Sequence, residues 1–151
     1  MTRHILMITA VLVLASLTLG QTPCPTQTYG SWENLAAQID PNQIALHPIS
    51  GEPLFLGAVT VEVGSEWKYE GWACDPDGDA MTVTANSGVL DVINYVYTLR
   101  RTEGAIGVKY VHISATDVPI PPATPITVTG TLVVIATPRN QAPVLCGGRP
   151  Q

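Results

Sequence analysis

Trp67-Lys68-Tyr69-Glu70-Gly71-Trp72-Ala73-Cys74-Asp75-Pro76-Asp77-Gly78-Asp79-Ala80-Met81-Thr82-Val83-Thr84-Ala85 is two alternating runs joined by an acidic pentapeptide. Before the pentapeptide, Trp67, Tyr69, Gly71 and Ala73 share one face of an extended chain. Glu66, Lys68, Glu70, Trp72 and Cys74 share the other. After it, Met81, Val83 and Ala85 alternate with Thr82 and Thr84. A period of two is the signature of a half-buried strand. Between the runs, Pro76 presets φ for a turn and Gly78 is free to take positive φ, so Asp75 to Asp79 forms a tight strand-to-strand loop. Three carboxylates at alternate positions repel one another. Either the loop keeps them in water or a cation holds them.

The same period extends outward. Val59, Val61 and Val63 alternate with Ala58, Thr60 and Glu62 before a Gly64-Ser65 turn. Asn86-Ser87-Gly88 turns the chain again, Tyr95, Tyr97 and Leu99 mark a strand, and Thr102-Glu103-Gly104 makes another turn. Val111, Ile113 and Ala115 line a strand that stops at Asp117. A loop with Pro119, Pro121, Pro122 and Pro125 then leads to a last strand, Ile126 to Thr137, in which threonines alternate with apolar residues. Six or seven short strands rich in β-branched residues predict an all-β fold, an antiparallel sandwich over residues 58–138. Residues 21–57 read as an irregular extension punctuated by Pro23, Pro25, Pro41, Pro48 and Pro53. Its one helical signal is Ser31 capping Trp32 to Ile39, with Glu33 in the first turn and Leu35, Ala36 and Ile39 at helical spacing. Residues 139–151 read as a linker-like tail.

Arg3 and His4 precede an apolar run from Ile5 to Leu19, and Thr18-Leu19-Gly20 offers a cleavage point. Residues 1–20 are therefore expected to be a signal peptide, too short to span a bilayer, and the chain to be secreted without a membrane anchor. The formal net charge is −5, with 12 Asp and Glu against 7 Lys and Arg. No basic run or aromatic-interleaved basic patch is present, so nucleic acid and anionic membrane surfaces are not expected partners. All three cysteines (Cys24, Cys74, Cys146) lie in the exported part, where disulfides persist, and their odd number leaves one over.

Val59 to Thr137 resembles a single bacterial cadherin-like or immunoglobulin-like repeat of the kind strung along extracellular surface proteins. The resemblance is carried by Gly71 to Thr82 around the acidic loop, by Tyr97-Thr98-Leu99, by Gly107 to Asp117, and by the terminal Asn140-Gln141-Ala142-Pro143-Val144-Leu145. A weaker copy of that linker stands at Pro41-Asn42-Gln43-Ile44-Ala45-Leu46, 98 residues earlier by Asn42 and Asn140. The resemblance implies a seven-strand sandwich. In it the loops after the second and sixth strands share the pole where the first strand begins, gathering Asp75, Asp77, Asp79 and Asp117 with Asp40 and Asn42 nearby. Such a set of hard oxygens suits Ca²⁺; the alternative is a solvated turn in which the aspartates cap backbone N–H groups. An EF-hand is excluded, because the glycine falls at loop position four and Asn86 at position twelve. At that same pole Cys24 would reach Cys74, leaving Cys146 beyond the last strand.

Nothing supports an enzyme. No Gly-x-Ser-x-Gly elbow, Cys-x-x-Cys or metal-spaced histidine pair occurs; His4, His47 and His112 are scattered, and His112 reads as surface decoration beside Ser114. Trp72, on the outer face of its strand, either stacks a ligand such as a sugar ring or is covered by the extension through Tyr29, Trp32 or Leu35. The expected function is a secreted structural or adhesive surface module, self-associating head to tail into filaments or contacting other surface proteins. The alternative is a carbohydrate- or ligand-binding module resting on Trp72.

Overall fold

The computed structural model describes Cys24 and residues 32–143. The expected signal peptide, Ser31, Tyr29, Cys146 and the rest of the tail lie outside the described residues. Seven strands follow in order: β1 Phe55–Glu62, β2 Glu66–Trp72, β3 Ala80–Ala85, β4 Val89–Ile93, β5 Val96–Thr102, β6 Gly107–Val118 and β7 Thr127–Thr137. They divide into a four-stranded sheet, β1-β7-β6-β3, and a three-stranded sheet, β2-β5-β4. Every pairing is antiparallel except that of β1 with β7. The expected all-β sandwich is the fold, and β1 starts three residues before Ala58, at Phe55.

The two inner faces are those the alternation marks. Trp67, Tyr97, Leu99, Val111, Ile113, Leu132 and Val134 form the buried centre, with Tyr69, Met81 and Val83 packed against it. The Tyr69 hydroxyl donates to the Leu56 carbonyl at 2.9 Å, tying one sheet to the other. Burial of that phenol raises its pKa, against a lowering hydrogen bond with Tyr97. Glu66, Lys68, Glu70 and Trp72 point outward, as expected.

Three expectations need correction. Trp32 to Ile39 is not a helix. Among the described residues the extension forms two single-turn 3₁₀ segments, Glu33–Leu35 and Pro41–Gln43, and Trp32, at the N-cap of the first, makes no side-chain cap hydrogen bond. Eight residues form too short a helix to persist on propensity alone, so tertiary contacts decide their shape. Tyr95 belongs to a turn. Asn94 and Tyr95 take φ of 48° and 69°, the two positive values of a two-residue hairpin, so the alternation breaks there and β4 precedes it. The third concerns β7, whose run Leu132-Val133-Val134-Ile135-Ala136 is buried on both faces. Thr–apolar alternation holds only in its first half.

The extension explains β7. Ile39, Ile44, Phe55 and Val133 form a second core on the outer face of the four-stranded sheet, with Trp32, Leu35, Val108, Tyr110 and Ile135 around it. Thr131 is fully buried there, yet its Oγ1 accepts the Ala45 N–H at 2.8 Å and meets His112 Nδ1 at 3.1 Å. A strand covered on both faces reads as continuous apolar sequence, which is what residues 132–136 show.

Candidate functional site

The ladder registers fix the poles. Ala80 pairs with Val118, Thr116 with Thr127, and Trp72 with Val96. The β2–β3 loop, the Asn94-Tyr95 turn, the β6–β7 loop and the start of β1 therefore share one pole. Turns at 63–65, 86–88 and 103–106 mark the other, with the exit of β7.

At the first pole Pro76 and Gly78 build the turn the sequence promises. Gly78 takes φ +80° and its N–H donates to the Asp75 carbonyl at 3.2 Å. Asp75 Oδ1 accepts the N–H groups of Asp77 (2.7 Å) and Asp79 (3.3 Å). Across the pole, Asp117 Oδ1 accepts the Ile126 N–H. Two of the four aspartates thus spend an oxygen on shaping their own loops. Partial burial raises the Asp79 pKa, and the charges of Asp75, Asp77 and Asp117 raise it further. The four carboxylates are near enough to repel, but no three His, Cys, Asp or Glu side chains among the described residues converge closely enough to hold a metal. Asp40 and Asn42 do not join them. The Asp40 N–H donates to the Tyr110 hydroxyl at 2.5 Å, seven residues along β6 from Asp117 or about 23 Å. Docking of Ile39 and Ile44 onto Val133 holds that segment away from the pole.

Cys24 and Cys74 are joined by a disulfide with Cα atoms 5.6 Å apart, which fits the expected pairing and ties the extension to this pole. Neither Trp32 nor Leu35 covers Trp72, and Tyr29 lies outside the described residues. Trp32 and Leu35 pack on the other sheet, and Trp72 is 52% exposed.

A groove of about 490 Å³ opens at the same pole between the sheets. Its walls are apolar, with Leu54, Leu56, Met81, Val83, Ile113 and Val128 among them, and Trp72, Asp75, Asp77, Asp117, Ile126 and His47 also line it. Small inner-face residues border this gap: Ala73 and Ala115 stand where the rest of the core has Trp, Val or Leu, whereas the space beside Gly130 is filled by the Leu56 side chain. Gly71 is small for another reason, since a Cβ there would overlap the Tyr97 hydroxyl. Exposed large apolar side chains also collect around this pole. Trp72, Val96 and Ile93 form one cross-strand row, with Tyr95 in the adjoining turn and Val118, Ile120 and Ile126 on the facing loop.

The far pole is closed by Glu103, which Thr102-Glu103-Gly104 alone marks only as a turn residue. Glu103 is 0% exposed. It pairs with Arg101 at 2.9 Å and Lys109 at 2.7 Å, and accepts the Trp67 indole N–H at 3.3 Å. The inner-face alternation Lys109-Val111-Ile113-Ala115-Asp117 carries a signal for both ends, a cation closing one pole and a carboxylate at the open one. His112 lies on the outer face, as expected, and helps hold Thr131.

None of the family models, curated proteins or solved structures compared with the chain matches it.

Proposed function

We propose that this chain is a secreted β-sandwich module of the bacterial surface, structural or adhesive in role, whose acidic and apolar pole is its docking face. One observation carries the reading: exposed Trp72, Ile93, Tyr95, Val96, Val118, Ile120 and Ile126 lie at the pole where the groove opens, Trp72 and Ile126 on its lining. Contiguous apolar surface on a soluble domain marks an interaction site. The aspartates at the same end select against acidic partners and steer cationic ones. The strand partition supports the resemblance to immunoglobulin-like and cadherin-like repeats. β2, β5 and β4 face β7, β6 and β3 as in constant-type immunoglobulin domains, with β1 moved to the β7 edge. The disulfide supports an oxidising, extracellular setting.

Calcium belongs to this proposal as a ligand of Asp77, Asp79 and the outer oxygens of Asp75 and Asp117. The residue types suit it, but their spacing here does not gather three ligands, so binding requires the β2–β3 loop to close toward Asp117. Saturating Ca²⁺ would then raise Tm, by about 2.7 kcal/mol of stability at a hundredfold excess over Kd, and Asp77→Asn would remove the gain. Identical melts in calcium and chelator leave the aspartates as turn-formers.

Trp72 supports a second reading, a carbohydrate- or ligand-binding module. Its ring stands at the groove mouth, where a sugar would stack on it. A glycan array probed with the secreted chain and with Trp72→Ala separates the two. Binding lost in the variant favours the carbohydrate, whereas filaments in negative stain with no glycan signal favour the structural module.

A further inference from the structure

We infer that β4 is a pairing edge, which joins the β4 of a second copy of this chain antiparallel about a two-fold axis at Leu90 and makes one six-stranded sheet from two three-stranded ones. None of its residues lines the groove, and the inference goes beyond the reading of that pole as a docking face. β4 ends the order β2-β5-β4, so one side of its backbone faces away from the sheet. Asn94 and Tyr95, with φ of 48° and 69°, make a two-residue turn whose flanking residues Ile93 and Val96 pair. Ile93, Asp91 and Val89 therefore turn their N–H and C=O groups toward β5, while Val92 and Leu90 turn theirs to the open side. Among the described residues, the backbone of Val89 to Ile93 makes no hydrogen bond outside its pairing with β5.

Such a row of free backbone groups is a template for another strand unless it is blunted. The other three edges differ from it. β1 is irregular where its register shifts between Phe55 and Gly57, β2 carries Glu66, Lys68 and Glu70 outward, and β3 has no exposed large apolar side chain. β4 has neither Pro nor Lys. It carries one charge, Asp91, among exposed Val89, Val92 and Ile93.

Charge selects the occupant and the register. On the outer face the ladder sets Lys68, Arg100 and Val89 in one row, and Glu70, Thr98 and Asp91 in the next. An antiparallel strand from a second copy, with Leu90 opposite Leu90, places its Asp91 opposite Val89. The basic row of each molecule then continues into the acidic row of the other, twice per dimer. Lys68 and Glu70 already pair at 3.2 Å within the molecule. Arg100 and Asp91 are exposed and make no side-chain hydrogen bond or ion pair among the described residues. Arg100 stands two strand spacings, about 10 Å, from Asp91 of the copy, a gap that a long guanidinium stem and a carboxylate close from both sides. Centring the pairing on Asp91 would set two carboxylates opposite each other, and centring it on Val92 would leave Arg100 without a facing carboxylate. At Leu90 the outward N–H and C=O exchange two hydrogen bonds with those of the copy. A patch complementary to itself closes as an isologous dimer.

The test uses the chain secreted with its own leader so that the disulfide forms, in a Cys146→Ser background that removes thiol cross-links. Sedimentation velocity across a concentration series is expected to show a monomer–dimer equilibrium that weakens with salt. Asp91→Arg and Arg100→Asp each set like charges across the seam and should raise the dimer Kd at least about tenfold, whereas the two changes together should restore it. Val92→Pro removes an N–H that bonds nothing within the monomer and should abolish dimerisation with the fold kept. The charge variants, at exposed positions, decide even where Val92→Pro fails to fold. Amide exchange at Leu90 should slow as concentration rises. A chain that stays monomeric at every concentration overturns the inference. So does a dimer unmoved by Asp91→Arg and Arg100→Asp, or a double variant that associates no better than the single ones.

Discussion

Replacing Glu103 by Ala should be among the most damaging single substitutions in the domain. The carboxylate is fully buried, and both of its oxygens are engaged by Arg101, Lys109 and the Trp67 indole. Removing one partner of a buried ion pair costs about 3–5 kcal/mol, because the surviving charges lose their compensation. Here the survivors are two cations of like sign, with side chains 22% and 27% exposed, so water relieves them in part. That places the loss near the lower bound, about 3 kcal/mol. With an unfolding entropy of about 2.1 cal/mol/K per residue over roughly 110 described residues, Tm should fall by about 13 °C. Glu103→Gln keeps an acceptor for the indole and loses only the charge, so about half that loss is expected. The triple change Arg101→Met, Glu103→Met, Lys109→Met should recover most of the stability, since apolar replacement of a whole buried cluster is often neutral. Denaturant melts followed by Trp fluorescence report this directly, since Trp67 is a member of the group. A loss below about 1 kcal/mol for Glu103→Ala would refute a buried, paired carboxylate.

Other outcomes follow from the same geometry. Opening the Cys24–Cys74 bridge, by reductant or by Cys24→Ser with Cys74→Ser, frees a loop of separation 50 and should cost up to about 4 kcal/mol; non-reducing peptide mapping verifies the pairing. Thr131→Val strips the buried acceptor of the Ala45 N–H and should cost about 1–3 kcal/mol, with amide exchange accelerating first in residues 39–46. Asp79→Asn should raise Tm at neutral pH in chelator. Because folding raises this carboxyl's pKa above its ordinary 3.8, the native state binds more protons there, and its contribution to stability falls as pH rises from 3.8 through the raised value. The Asn variant should lack that slope, and a wild-type slope retained in the variant would assign it to other groups.

The strands, their inner faces and the acidic turn were legible because each is a local signal. Alternation in Trp67 to Ala73 and Met81 to Ala85 assigns inside and outside without reference to any other residue. Pro76 and Gly78 specify their turn by φ alone. The Cys24–Cys74 pairing followed once the resemblance placed the poles. What the extension covers was not legible. Residues 32–46 carry a weak helical period, and the face they bury is set by Val133, Tyr110 and Ile135, between 64 and 103 residues away in sequence. The continuous apolar run 132–136 held the clue, yet only contact with a second layer tells a doubly buried strand from a singly buried one. Glu103 was read as a turn residue because Thr-Glu-Gly is turn chemistry, whereas its burial depends on Trp67, Arg101 and Lys109 arriving from three strands. The open pole had the same origin. Ala73 and Ala115 are unremarkable singly, and they border a groove only because the sheet registers bring them to one end of the sandwich. Sequence determined local geometry and side-chain direction; tertiary structure decided which layers meet, and so which charges are buried and where the core stays open.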